Sequence, residues 1–322
     1  MTQMKFFENA RVGKNHWLLF VAMIVVGYIV AQIPIVLFFG TLIAYKIAGG
    51  DRQAIREMLG NSGSIDAFLD TIPGFILTML TFMAWMGATW GFFKLFHHRE
   101  RMTLISGEKK LRKKNFFWGV LILGAIMLLS LGIEISITPD DYKFSFQGSK
   151  YILFFVLCIL LVPFQTGCEE LIFRGYLMQG FALCTKSKVW ALVITSVMFG
   201  LLHCANNEVM QYGFFKTIPL YILIGLQMGF FAILSDGIEF SWGIHFINNF
   251  IAFTIISTEG GTMSGNALFM TKREAVSITD YLIIIAEIAL IYFLFRKKMG
   301  WDIKKAFDNS GLKNNVPPPY FA

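Results

Sequence analysis

Eight apolar stretches, separated by short polar segments, run through the chain from one end to the other. An α-helix that crosses a bilayer requires about 20 apolar residues, and most of these stretches meet that length. The fifth and seventh stretches lie at the short limit, and the seventh is also the most polar. The pattern predicts an all-α polytopic membrane helix bundle with about eight transmembrane helices. The predicted spans are 17–45, 72–96, 116–138, 151–182, 189–205, 217–235, 240–256 and 277–296.

Composition and charge agree with a membrane protein. Of 322 residues, 56% are apolar and 15% are charged, and the mean hydropathy is +0.60. A soluble globular protein has about a quarter of its residues charged. The net charge of +7 arises from Lys and Arg at the ends of apolar stretches, which argues against nucleic acid as a partner. Their excess in alternate loops, above all 99–114, predicts that both termini of this multi-pass protein are cytoplasmic. The Phe-rich, Cys-poor composition indicates a bacterial protein, so the predicted location is a bacterial plasma membrane.

The polar segments between the spans are too short for a second folded domain. We therefore interpret 1–322 as a single membrane domain. The polar segment 297–322 ends in three consecutive prolines before Tyr320 and is predicted to be a disordered cytoplasmic tail. The four cysteines show no CxxC spacing, so neither a disulfide framework nor a thiolate zinc site is supported.

Two acids and an arginine follow the long apolar run of the fourth span: Glu169, Glu170 and Arg174. Charges at membrane depth are costly and therefore indicate a functional site. Glu170 and Arg174 are four residues apart and can form an ion pair on one helix face. Glu169 is rotated by about 100° from Glu170, so it is free to act as a base. Pro163 lies upstream and predicts a kink in the helix.

Two histidines and an amide lie in later apolar spans, in the sequences Phe199-Gly-Leu-Leu-His203 and His245-Phe-Ile-Asn-Asn249. Glu169 and His203 each lie about 21–23 Å along their helices from the loop that joins spans four and five, so they are predicted at one level. His245 lies only about 9–14 Å past the preceding loop. It reaches the same level only if the segment from Gly237 to Gly243 already lies inside the membrane envelope.

Each polar group has an ordinary explanation when it is taken alone. A Glu-Glu pair near a helix end is usually interfacial, and a single histidine in an apolar helix is usually a hydrogen-bonded core residue. His245 with Asn249 is typical of polar contacts between membrane helices. The three explanations weaken together, because the three exceptions fall on nearly consecutive spans of one chain.

The three motifs EExxxR, FxxxH and HxxxN, in this order on membrane helices, resemble the CPBP family of CAAX prenyl proteases and bacteriocin-processing enzymes, also called the Abi family. The resemblance covers about 150–256 and implies that the chain is an intramembrane protease with 150–256 as its catalytic core. By this resemblance, Glu169 and His203 activate water, and His245 and Asn249 stabilise the oxyanion. Glu170 and Arg174 are implied as supporting residues.

The cofactor is left open by the sequence. Glu169, His203 and His245 could supply three ligands to a zinc ion with an open fourth position, as in a metalloprotease. No HExxH helix is present, and a carboxylate with an imidazole can activate water without a metal, which we favour.

The expected function is an intramembrane endopeptidase that hydrolyses a peptide or protein substrate in or at the bilayer. Two alternatives stay open. One is a non-catalytic scaffold or bacteriocin-immunity protein on the same fold, against which the intact motifs argue. The other is an ion- or proton-coupled transporter, which would be expected to show inverted repeats, and none is evident.

Overall fold

The computed structural model describes residues 5–51, 71–258, 266–273 and 276–313, together with residues 53, 55 and 68. The described chain is a bundle of helices with one small sheet, which confirms the predicted all-α polytopic class. The helices are α1 Trp17–Ala31, α2 Ile33–Ile47, α3 Ile72–His97, α4 Lys113–Ile137, α5 Ser149–Glu170, α6 Met178–Thr185, α7 Lys188–Leu202, α8 Asn207–Tyr212, α9 Phe214–Leu234, α10 Glu239–Thr254, α11 Ile278–Met299, α12 Ile303–Ala306 and α13 Ser310–Lys313.

Seven helical segments are long and apolar enough to cross a membrane. Their bounds lie within three residues of those of seven predicted spans. The predicted seventh span, 240–256, is α10, which has only 16 residues and does not meet the length that a membrane span requires. Among the described residues, seven of the eight predicted spans therefore meet that length, and the remaining one, α10, is largely enclosed by other helices.

α10 nevertheless carries the chain between the two ends of the bundle. At one end, the backbone N–H of Phe6 donates to Asp236, and a side-chain nitrogen of Arg11 donates to the carbonyl of Gly311. At the other end, three short strands form a sheet of order β1-β3-β2. The strands are β1 Tyr142–Phe144, β2 Ile256–Thr258 and β3 Phe269–Thr271. The described N-terminal and C-terminal segments thus lie at the same end of the bundle.

The start of α10 is buried inside the protein, which explains how His245 reaches Glu169 although few residues separate it from the preceding loop. Glu239, the first residue of α10, is fully buried and accepts a bidentate pair of hydrogen bonds from Arg112 at 3.0 and 2.6 Å. The same guanidinium donates to the carbonyls of Ser235 and Asp236. Because this loop is anchored within the protein, His245 needs only six further residues of helix to reach its level.

Two glycines allow α10 to lie directly against α4. A Cβ placed on Gly119 would collide with the carbonyl oxygen of Phe240, and one placed on Gly243 would collide with the carbonyl oxygen of Phe116. Small residues at such crossings let two membrane helices approach at backbone distance. The contact fixes the position of α10, the helix that carries His245 and Asn249.

Residues 297–313 of the predicted tail lie among the described residues and pack against the bundle. α11 continues to Met299, and the chain then folds back on the bundle, where Trp301 and Ala306 are buried. Lys188 at the start of α7 donates its Nζ hydrogen to the carbonyl of Ala306 at 2.8 Å. The predicted disorder of 297–322 is thus wrong for 297–313, because apolar side chains hold this stretch; residues 314–322 lie outside the described residues.

We predict that Gly119→Ala lowers the free energy of unfolding by about 1–3 kcal/mol, because the added methyl group pushes α4 away from α10. The matched control is Gly132→Ala on the same helix, where no atom lies within 4 Å of the added Cβ. The control should be neutral or slightly stabilising, because alanine favours a helix over glycine. Tryptophan fluorescence during thermal unfolding in detergent measures both, and equal midpoints for the two variants would contradict the packing argument.

Candidate active site

A cavity of about 640 Å³, lined in part by polar side chains, opens between the helices and reaches from the centre of the bundle towards the small sheet. Its wall combines residues from α3, α4, α5, α9, α10 and α11 with the turn that follows α7. The polar side chains at its inner part are Gln165, Glu169, His203, Tyr221, Asn248 and Asn249. Glu134, Tyr142, Asp280 and Arg273 line its outer part. A cavity of this kind inside an apolar bundle can hold water at membrane depth.

The two adjacent glutamates occupy different environments, as their helical rotation predicted. Glu170 is fully buried, whereas the side chain of Glu169 keeps 14% of its surface and lines the cavity. One oxygen of Glu170 lies 2.8 Å from Nη1 of Arg174, and the other accepts from the hydroxyl of Ser241 at 2.7 Å. The predicted pair of Glu170 and Arg174 is therefore present, while Glu169 remains available to the cavity.

Arg174 joins three helices around this buried charge. Besides its contact with Glu170, it donates through Nη2 to the backbone carbonyl of Gly225 on α9 at 3.1 Å. Its guanidinium lies 4.5 Å from the ring centre of Phe199, the first residue of the second motif. Arg174 lies in a π-helical turn, Leu171–Leu177, that directly follows the two glutamates. Such wide turns often occur at functional sites.

His245 lies between the two glutamates, with one ring nitrogen facing each. Its Nδ1 is 3.0 Å from the oxygen of Glu170 that also contacts Arg174, and its Nε2 is 3.3 Å from Oε2 of Glu169. An ionised carboxylate can only accept a hydrogen bond, so Nδ1 carries a hydrogen. His245 is 2% exposed and is not part of the cavity wall. Its ring is therefore placed behind Glu169 rather than facing the cavity.

His203 lies on the cavity wall, held by its own helix and by an aromatic ring. Its Nδ1 is 2.7 Å from the backbone carbonyl of Phe199. A carbonyl accepts only, so Nδ1 carries the hydrogen and Nε2 is left with a lone pair. Tyr221 stacks on the imidazole at 4.3 Å between ring centres, and Asn206 donates to the Tyr221 hydroxyl. His203 is thus oriented with one nitrogen able to accept a proton.

Asn249 is connected to Glu169 through a residue that the motifs did not indicate. Gln165 donates through Nε2 to Oε1 of Glu169 at 2.8 Å and accepts from Nδ2 of Asn249 at 3.0 Å. Ser241 and Tyr221 are two further site residues that the sequence analysis missed. Gln165 lies four residues before Glu169, and Ser241 lies four residues before His245. That spacing was a signal for both, because it places each pair on one helix face.

The six candidate residues fall into one region. Glu169, Glu170, Arg174 and His245 are in direct contact, Asn249 is linked to them by Gln165, and His203 shares the cavity wall with Glu169. Among the residues that the structure describes, no group of three or more His, Cys, Asp and Glu side chains is arranged to hold a metal ion. In particular, the described positions of Glu169, His203 and His245 do not form such a group.

Comparison with known proteins agrees with the motifs. Residues 148–251 match the family model described as type II CAAX prenyl endopeptidase Rce1-like. The match confirms, over this segment, the family resemblance that EExxxR, FxxxH and HxxxN predicted.

Two curated proteins are similar in sequence to parts of the chain. The uncharacterized protein YyaK of Bacillus subtilis is 28% identical over 230 residues, which cover 69% of this chain and 77% of the relative. An uncharacterized protein of Mycoplasma capricolum is 29% identical over 115 residues, which cover 35% of this chain and 31% of that relative. No solved structure matches the chain.

We predict that Arg174→Met lowers the free energy of unfolding by about 3–5 kcal/mol, because it leaves Glu170 as a buried charge without its cation. The double variant Glu170→Gln with Arg174→Met removes both charges and should be more stable than the single variant. Chemical unfolding in detergent, followed by tryptophan fluorescence, compares the two.

The matched control is Lys110→Met, which removes an exposed ion pair with Glu108 of the same 2.8 Å separation. It should change stability little, because exposed pairs are screened by water. Equal losses in Arg174→Met and the double variant would show that Glu170 does not depend on Arg174.

Proposed function

We propose that this protein is an intramembrane endopeptidase that hydrolyses a peptide bond with water activated by Glu169 and His203. The observation that carries the proposal is the position of Glu169. It lines a polar cavity within a bundle of apolar helices, while the adjacent Glu170 is fully buried in an ion pair. The match of residues 148–251 to an endopeptidase family model supports the same reaction class.

Water activation follows from the two groups that reach the cavity. Glu169 accepts a proton from a water molecule as the water oxygen attacks the carbonyl carbon of the scissile bond. His203 presents the lone pair of Nε2, so it can orient the same water or take up its proton. The proton is then delivered to the nitrogen of the leaving amine as the carbon–nitrogen bond breaks. The water's remaining hydroxyl completes the new carboxyl group.

The tetrahedral intermediate carries a negative oxygen that requires hydrogen-bond donors. We assign this role to Asn249, because its Nδ2 uses only one of two hydrogens in its bond to Gln165. The resemblance also implied His245 as an oxyanion donor. Its Nε2 faces Glu169 in this structure, so we assign His245 to Glu169 itself, where it supports the carboxylate from the side opposite the cavity.

Glu170 and Arg174 act as supporting residues in this proposal. Glu170 accepts from both His245 and Ser241, which are residues of α10, while Arg174 bonds to α9. The pair thus fixes α5, α9 and α10 relative to one another. Positioning of this kind lowers the barrier because reacting groups need not be ordered during the reaction.

The substrate we propose is a peptide or protein segment in or at the membrane. Apolar surface surrounds the site, and a cavity of about 640 Å³ can take a short extended segment rather than a folded domain. The non-catalytic alternative, a scaffold or immunity protein, does not require a carboxylate exposed to the cavity beside a histidine with a free lone pair. The variants below distinguish the two.

We predict that Glu169→Gln and His203→Ala each reduce cleavage of a quenched fluorescent peptide library by at least about 100-fold, because each removes a group that handles the proton. The protein is purified in dodecyl maltoside, and the unfolding midpoint is measured beside the activity. Gln227→Met, which changes a buried polar residue outside the cavity, is the control and should retain activity. Wild-type cleavage by Glu169→Gln would overturn the catalytic assignment.

We also propose that the end of the bundle that holds the described termini is cytoplasmic. The loop 99–114 lies at this end, since the N–H of Gly107 bonds to the carbonyl of Asp236. A single cysteine placed at Lys110, in a background without the four native cysteines, should resist an impermeant thiol reagent added to intact cells. It should react after the membrane is permeabilised. Labelling before permeabilisation would reverse the orientation.

A further inference from the structure

Four side chains on the cavity wall form one continuous line of hydrogen bonds. Nδ2 of Asn248 donates to Oδ1 of Asn249 at 3.1 Å, and Nδ2 of Asn249 donates to Oε1 of Gln165 at 3.0 Å. Nε2 of Gln165 then donates to Oε1 of Glu169 at 2.8 Å. All four residues line the cavity. The line joins the proposed base to the proposed oxyanion donor.

The direction of this line is set by the charge at its end. An ionised carboxylate accepts hydrogen bonds and donates none, so Gln165 must turn its NH₂ group towards Glu169. Its carbonyl oxygen then faces Asn249, so Asn249 must donate a hydrogen bond to this oxygen from its own NH₂ group. An amide flipped at any step would place two acceptors or two donors against each other. The charge of Glu169 therefore determines which way the amide of Asn249 is turned.

Gln165 is the residue of this line that bonds to both Glu169 and Asn249, so it carries the donor direction from one to the other. It is 6% exposed and makes both of its contacts within the line. It lies on α5, whereas Asn249 lies on α10, so it is also the side chain that bridges the two helices at the cavity. In a low-dielectric site, such a bond is stronger than in water, and an unsatisfied amide is correspondingly costly.

We infer that Gln165 is a positioning residue that fixes the direction of the Glu169 carboxylate and keeps the NH₂ group of Asn249 oriented as a donor. This inference rests on the proposed function, because it assigns Gln165 a role through Glu169 and Asn249. Gln165 itself transfers no proton and forms no covalent bond. Its loss leaves both active groups present but free to turn away from the productive geometry.

Two variants separate hydrogen-bond polarity from packing. Gln165→Met keeps most of the volume but makes neither hydrogen bond, and we expect kcat to fall roughly 10- to 100-fold with KM within threefold of wild type. Gln165→Glu keeps the shape but replaces the donor with a second acceptor beside Glu169. It should be less active than Gln165→Met, because it reverses the polarity of the line.

The matched control is Gln227→Met. Gln227 is 3% exposed, and its Nε2 donates to Glu287 at 3.0 Å, so it is also a buried glutamine bonded to a carboxylate but lies away from the cavity. This variant should lose stability to an extent similar to Gln165→Met while kcat stays within twofold of wild type. Quenched fluorescent peptides selected from the library serve as the probe, and the enzyme is the full chain in dodecyl maltoside.

A double variant tests the coupling between the helices. Gln165→Met combined with Asn249→Leu should lose less activity than the product of the two single losses, because residues that act as one unit are not independent. Multiplicative losses, or a kcat for Gln165→Met within twofold of wild type, would overturn the inference. If Glu169→Gln also cleaves normally, the proposed function fails as well. If Glu169→Gln is inactive, only the role of Gln165 fails.

Discussion

The buried carboxylate of Glu170 is the group on which the rest of the site depends. A charge without water must be paired and hydrogen-bonded, and Glu170 meets this requirement with Arg174, His245 and Ser241. These partners lie in the π-helical turn that follows α5 and on α10, and Arg174 extends the network to α9. The cost of leaving any of them unpaired is what holds three membrane helices in one arrangement.

A second constraint sets the depth of α10. The helix is too short to cross a bilayer unaided, yet it supplies Ser241, His245 and Asn249. Burial of the ion pair between Arg112 and Glu239 lets it begin inside the protein. Its close contact with α4 then fixes its position in the bundle. The polar interactions of the site are thus possible only because backbone contacts elsewhere have already brought the helices together.

The sequence predicted what local rules determine and missed what depends on tertiary contacts. Spans were predictable from apolar length, and the pairing of Glu170 with Arg174 followed from helical spacing. The depth of His245 was not, because it depends on the buried start of α10. The order of residues 300–313 depends on their docking against the bundle, as Trp301 shows. The role of Gln165 depends on a partner 84 residues away, which no local pattern indicates.

His245 connects the buried ion pair of Glu170 and Arg174 to Glu169, the carboxylate that lines the cavity. Arg174 offsets the charge of Glu170, and Nδ1 of His245 lies 3.0 Å from the same Glu170 oxygen. Nε2 of His245 lies 3.3 Å from Oε2 of Glu169, an atom that is buried. The oxygen that accepts from Gln165 is then the one left to serve the cavity. His245 thereby determines which oxygen of Glu169 is available for water, and Gln165 determines where that oxygen points.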